Sequence, residues 1–272
     1  MLVRLLQRGM LVTDYHYNQA ETQSKQLMDQ IKQYETIADA FAASMALPFR
    51  EAIEQHTLRE LLGDVSRANV VDMACGDGFY TRWVKRSGAL TAMGLDVSVE
   101  MIRRAEEMEQ RNPLGCEYRQ SDIATAVVSN PVDVVIAVYS LGYARSGAQL
   151  RQFCKACYHA LREGGRFVGL NDNVRNPPPT GISWRKYGLE RYCPNPLSEG
   201  DPVRYTIINA DGQRFDVENF YLKGKTYEDA FEAVGFSEFR WIDVSLDPAE
   251  HRNPFWDDFL THPPIVGFTA SR

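Results

Sequence analysis

The sequence lacks any apolar run approaching the roughly 18 residues that a membrane-spanning helix needs, so no helical span is expected. It also lacks an excess of positive charge: 30 Lys and Arg stand against 36 Asp and Glu, a formal net charge of -6. Affinity for nucleic acid comes largely from neutralised phosphates, so an acidic chain argues against nucleic acid as a partner. Cysteine is sparse and odd in number, five in 272 residues, with no spacing that repeats as a disulfide framework or a metal knuckle. A reducing, cytoplasmic setting and no bound metal are therefore expected. Cys154 and Cys157 stand close, but they share a helical face with Leu150, Phe153 and Leu161. That pattern reads as core, not as a redox pair. Internal repeats and low-complexity tracts are missing too. The five histidines (His16, His56, His159, His251 and His262) are scattered, and none sits in an acid–base motif.

What is there is ordinary globular material, 44% apolar and 24% charged, enough for one large domain or a domain with a lid. Residues 1–12 are apolar but broken by Arg4, Gln7 and Arg8, which is compatible with an amphipathic helix, a targeting stub or an extension ahead of a start at Met10. Residues 14–45 are helical in pattern, with Leu27, Ile31, Tyr34, Ala38 and Phe41 at three- and four-residue spacing. The first half of that stretch has little apolar face beyond Tyr15, Tyr17 and Ala20. It is expected to pack on a second copy of the chain, to close over a ligand, or to stand as a solvated arm. A second helix is expected over 51–62, stopped by Gly63.

From there strands and helices alternate: strands over 69–74, 90–96, 117–120, 132–138 and 166–170, helices over 79–86, 98–110 and 149–161. Ser98 is placed to cap its helix. The run Val132 to Val138 is almost wholly apolar, as for a strand covered on both faces. Residues 171–200 hold five prolines and several aromatics and cannot be one regular element. Alternating residues over 205–222 flank the turn at Asp211-Gly212, a hairpin signal. A helix over 227–234 and strands near 239–244 and 265–269 finish the chain.

The chemistry concentrates in Val70-Val71-Asp72-Met73-Ala74-Cys75-Gly76-Asp77-Gly78-Phe79-Tyr80, a strand running through two glycines into a helix. Such a turn presents bare main chain and free N–H groups to a ligand. Asp96 ends the next strand, where a carboxylate accepts both hydroxyls of a ribose. A nicotinamide-dependent oxidoreductase shares these features, but its third glycine is absent here: Phe79, Tyr80 and Thr81 follow Gly78. Asp72 lies inside the strand end, suited to an ammonium and not to a pyrophosphate. Asp122 and Ile123 follow the third strand, where a carboxylate can accept from an adenine amino group. Tyr139-Ser140-Leu141-Gly142-Tyr143 closes the fourth strand with aromatic walls.

Together these segments resemble the motifs of class I S-adenosylmethionine-dependent methyltransferases over residues 34–170. Cys75 to Arg82, Leu47-Pro48-Phe49-Arg50 and His262-Pro263-Pro264 are most similar to the toxoflavin-synthase-like group. The resemblance implies a doubly wound, mostly parallel seven-stranded α/β sheet whose last two strands form an antiparallel edge. Residues 1–50 would be a helical extension or lid and 51–272 the methyltransferase domain, with 171–225 a substrate cap. It also implies S-adenosylmethionine as cofactor. Gly76 and Gly78 would meet its methionine part, Asp72 its ammonium, Asp96 its ribose, and Asp122 and Ile123 its adenine. Tyr34 would lie over the methionine end, with Glu35 standing where relatives carry aspartate, and Arg50 would pair with the carboxylate. Ala74, Cys75, Val97, Met101 and Tyr139 complete the expected cofactor set.

Methyl transfer from a sulfonium requires alignment more than acid–base help, and no catalytic residue is assigned. The acceptor is expected to be a small-molecule natural product, methylated on carbon, nitrogen or oxygen. Its site would be built from Tyr17, Tyr143, the polar run Asn171-Asp172-Asn173, Tyr192, Phe220 and Tyr221. The oxidoreductase and a non-catalytic binding or assembly protein of the same fold remain as alternatives, and a homo-oligomer through the N-terminal helix is expected.

Overall fold

The computed structural model describes Tyr34, residues 36–175 and residues 182–272. The polar arm, with Tyr17 and His16, lies outside the described residues. Residues 36–44 are helical, as their spacing predicts. The helix expected over 51–62 is different in kind at its start. It begins as a wide π-helical turn at Arg50–Gln55 and continues as α1, His56–Leu62. Gly63 ends it with φ +54°. Wide turns of this kind occur often at functional sites, and this one buries Arg50 and Glu54 together.

Then come β1 (Asn69–Met73), α2 (Phe79–Arg86), β2 (Thr91–Asp96), α3 (Val99–Arg111), β3 (Cys116–Gln120), β4 (Val132–Val138), α4 (Gly147–Ala160) and β5 (Leu161–Asp172). Ser98 caps α3 by accepting from the Met101 N–H. β5 runs further than the 166–170 expected, and the extension carries Asp172. After it come β6 (Leu189–Tyr192), β7 (Pro202–Ile208), β8 (Arg214–Phe220), α5 (Gly224–Val234), β9 (Ser237–Ile242), α6 (Asp257–Thr261) and β10 (Ile265–Ser271).

Seven strands form one sheet in the order β3-β2-β1-β4-β5-β10-β9. β1 to β5 are parallel; β10 is antiparallel to both β5 and β9, so it alone runs against the other six. The sheet is covered on both faces because its strands are apolar on both. Val71, Met73, Val135 and Ala137 turn to one side, against α4 and α5. Val70, Val134 and Ile136 turn to the other, against α1 and α2. Cys154 and Cys157 are fully buried in the first layer, as their helical face predicts.

The order reverses at β1, whose neighbours are β2 and β4. Open α/β sheets place ligands outside the carboxyl ends of strands at such a point. A second, antiparallel sheet, β6-β7-β8, stands over that end. Its inner face packs Leu189, Val203, Tyr205, Ile207 and Phe215 against Leu47, Phe49 and Ile53 of the segment leading into α1. The hairpin signal at 205–222 is thus the core of a roof.

Candidate active site

Between sheet and roof lies a cavity of about 420 Å³, within the range of small-ligand sites. At one end it is lined by the β1 turn (Ala74, Cys75, Gly76 and Asp77), by Asp72 and by Asp96 and Val97. Ala74 takes up a left-handed φ of +59° and Gly76 one of +55°. These two successive bends (one on a residue with a side chain) turn the main chain under the β2 end. Gly76 N–H then donates to Asp96 Oδ2 at 2.8 Å, and Ser98 N–H to Oδ1 at 2.9 Å. Each carboxylate oxygen is fixed by one backbone donor and keeps lone-pair capacity for a ligand.

Asp72 is 2% exposed and accepts from the Thr81 hydroxyl at 2.7 Å. Burial pushes its carboxyl up to about 7, against a smaller lowering from Thr81. Burial likewise raises Asp96 and Asp77. Among the described residues no ion pair joins any of the three to Lys or Arg. Three carboxylates at one end of a cavity call for a cationic ligand group. A sulfonium nucleoside with an amino-acid tail has that chemistry.

Arg50 lines the same cavity, and its Nη1 donates to Glu54 at 2.6 Å. Glu54, wholly buried, also accepts from the hydroxyls of Tyr80 and Tyr139. The guanidinium is thereby held from one side, while Arg50 Nε is buried without a hydrogen-bond partner. Sequence reasoning missed Glu54. Its signal was an i, i+4 Arg–Glu pair inside a stretch otherwise buried, Phe49, Ala52 and Ile53. Tyr139, at the end of β4, also has a left-handed φ, +63°, and its ring is held by this hub.

Beside the β3 end, Ser121, Asp122, Ile123 and Ala124 line the wall with Gln149, Gln152 and Phe153 of α4. Asp122 Oδ1 accepts from the Ala124 N–H at 2.8 Å, which shapes the turn and leaves its second oxygen open. Tyr34 and Tyr143 meet through their hydroxyls, and Phe41 packs edge-on to Tyr34 at 5.8 Å. The roof contributes Leu189, Tyr205, Ile207, Phe215 and Val217, and β5 contributes Asp172.

Some expected residues are elsewhere. Gly78 and Met101 are not in the cavity wall. Gly78, at φ +81°, leaves room for Tyr118, whose hydroxyl would lie 2.6 Å from an added Cβ, and Met101 is core. Asn171 is fully buried and donates to the Tyr227 hydroxyl at 3.0 Å. Asn173 donates to the Pro263 carbonyl at 2.9 Å. Tyr192 is on the surface, bonded to Glu190, and Tyr221 is also outside the wall. Along β5 the neighbours of an inward residue point away from it, so the run 171–173 offers only its middle member, Asp172. No described histidine lines the cavity.

Residues 70–165 match a family model described as a methyltransferase domain. The seven-stranded sheet has the Rossmann-like fold of S-adenosylmethionine-dependent methyltransferases. Over 93 residues, 32% of its length, the chain is 30% identical to a ubiquinone biosynthesis O-methyltransferase of Actinobacillus pleuropneumoniae, and it spans 39% of that protein. Over 221 residues, 79% of this chain, it is 24% identical to a demethylmenaquinone methyltransferase of Tropheryma whipplei, spanning 86% of it. An S-adenosylmethionine-dependent methyltransferase of Mesorhizobium loti superposes with a TM-score of 0.58 at 21% identity. That likeness covers 80% of this chain and 97% of the other and is one of fold. The matched segment runs from β1 into β5, the part that builds the acidic end of the cavity. The whole roof sheet falls outside it. Among the described residues no helix is long and apolar enough to cross a membrane.

Proposed function

We propose that the methyltransferase domain moves a methyl group from S-adenosylmethionine to a small, flat, mostly apolar acceptor held under the β6-β7-β8 roof. One observation carries the reading. A single cavity has an acidic, main-chain-lined end at β1 and β2 and an apolar, aromatic end at the roof. The cofactor supplies a methyl carbon already activated by a sulfonium. In this reading Asp96 accepts from the ribose hydroxyls, Asp72 and Asp77 face the cationic tail, and Arg50 Nε meets the carboxylate. Asp122 and Ile123 border the adenine, while Tyr34, Tyr139 and Tyr143 close the channel through which the acceptor meets the methyl.

The relatives named for ubiquinone and demethylmenaquinone support a ring-bearing acceptor, and the toxoflavin-synthase-like segments support natural-product chemistry. A homo-oligomer formed through the N-terminal helix is part of the same proposal. Calorimetry with S-adenosylhomocysteine and with nicotinamide adenine dinucleotide tests the reading. Micromolar binding of the first and none of the second is expected. The reverse result would return the protein to oxidoreductase chemistry.

A further inference from the structure

Resting on the function proposed above, we infer that Asp172 takes the proton from the hydroxyl of a phenol-like acceptor and that the roof sheet holds its carboxylate for that task. Asp172 ends β5 and lines the cavity. In the roof, Arg191 of β6 pairs in register with Tyr205 of β7, and Val203 with Asn219 of β8. Directly paired residues of an antiparallel ladder share a face. Arg191, Tyr205 and Asn219 therefore project from the face that meets the cavity.

Asn219 Nδ2 donates to Asp172 Oδ2 at 2.7 Å. Tyr205 hydrogen-bonds the same carboxylate, and Arg191 draws on both. Three strands thus converge on one half-buried carboxylate. The turn after β4 leaves space for the arrangement. A Cβ on Gly142 would stand 2.9 Å from Asn219 Nδ2 and 3.3 Å from Asp172 Oδ2. Asn219, 3% exposed, has its Oδ1 buried without a hydrogen-bond partner.

The electrostatics suit proton uptake. Burial lifts the Asp172 carboxyl to about 6, with smaller lowering from Asn219, Arg191 and Tyr205. The group is ionised at neutral pH and is a better base than an ordinary aspartate. The other ionisable groups that feel it are phenols: Tyr139 and Tyr143 beside β4 and Tyr227 of α5. Tyr143 feels Asp96 as well, so it stands between the donor's end of the cavity and Asp172. Arg191 already supplies a positive charge, which disfavours a protonated amine and favours a neutral hydroxyl.

In the step, a lone pair of the acceptor oxygen forms the new C–O bond. The C–S bond breaks with its electron pair left on sulfur, giving a neutral thioether. The hydroxyl proton passes to an Asp172 carboxylate oxygen and returns to solvent after the product leaves. Charge and atoms balance with no other reactant.

The test uses 1-naphthol and its methyl ether as probes, titrated into the full chain loaded with S-adenosylhomocysteine. At about pH 7.5 the naphthol should bind roughly tenfold more tightly than the ether or better, as for one hydrogen bond to a charged group. That preference should fade around pH 6 as Asp172 takes up a proton. In Asp172→Asn it should fall to about threefold or less and lose its pH dependence, with S-adenosylhomocysteine affinity unchanged. Asn219→Leu removes a bond to the ionised carboxylate, so the midpoint should move up. With S-adenosylmethionine loaded, thioether release on adding naphthol should slow by about a hundredfold in Asp172→Asn.

Equal affinity for naphthol and ether in the wild type, a preference surviving in Asp172→Asn, or equal release rates overturns the assignment. So does loaded protein that binds neither ring. The wild-type titration decides the matter even if the variant fails to fold. A chain that does not take up S-adenosylhomocysteine removes the proposed function itself, and this assignment with it.

Discussion

Two buried carboxylates on the donor side, Asp96 and Glu54, are held in opposite ways. Asp96 is fixed by two backbone N–H groups and has capacity left over. Glu54 spends its oxygens on Arg50, Tyr80 and Tyr139. Removing each should therefore read out differently. Asp96→Ala should weaken S-adenosylhomocysteine binding by on the order of 2 kcal/mol, about thirtyfold, because ribose hydroxyls lose buried acceptors. Calorimetry reads this directly, and an unchanged affinity would remove the sugar from that position. Glu54→Ala leaves the Arg50 guanidinium buried without its counter-charge. It should destabilise the fold by about 3–5 kcal/mol, seen as a lower urea midpoint. An unaltered midpoint would mean that Arg50 swings out to water and is not fixed by the hub.

At the scale of elements, the β1–α2 turn depends on Gly78 for a packing reason. Its φ of +81° disfavours a side chain, and a Cβ would press on the Tyr118 ring of β3. Gly78→Ala should cost about 1–3 kcal/mol, and adding Tyr118→Ala should recover the steric part while leaving the backbone part. Chemical denaturation of the two variants separates these contributions. If the double variant recovers nothing, the ring is not the obstacle.

The strands and helices from β1 to β5 were legible because burial on both faces leaves continuous apolar runs such as Val132 to Val138, and because Ser98, Gly76 and Gly78 mark turns by chemistry local to them. Asp72, Asp96 and Asp122 were found for the same reason: each sits at the end of a readable strand. The π-helical turn was not legible, since Arg50 to Gln55 has the composition of an α-helix and the extra residue per turn is set by packing. The roof was visible as a hairpin, but which face it turns to the cavity depends on β6 and on tertiary contact. That is why Tyr192, Tyr221, Asn171 and Asn173 were expected in a site that keeps only Asp172 of the run 171–173 and takes Tyr205 from the roof.

Taken whole, the molecule gathers Asp72, Asp77, Asp96 and Asp172 around one cavity, and all four carboxyls are raised by burial. A raised carboxyl binds its proton more tightly in the folded chain than in the unfolded one. Its contribution to stability is complete below the unfolded value near 4 and is lost as pH rises through the folded value. For Asp172 that is about 6 and for Asp72 about 7. For Asp72 the loss is at most about 4 kcal/mol across the window, at roughly 1.4 kcal/mol per pH unit. The ligand-free protein should therefore melt at a lower temperature near pH 8 than near pH 6. Asp72→Asn, which keeps the shape and cannot ionise, should flatten much of that slope. A cationic ligand reverses the sign of the interaction, so the rise in melting temperature with saturating S-adenosylmethionine should be larger near pH 8 than near pH 6. Thermal melts of wild type and Asp72→Asn over that range, with and without ligand, give both quantities. A ligand-induced rise independent of pH, or a slope identical in the two proteins, would mean that the buried carboxylates do not face the cation.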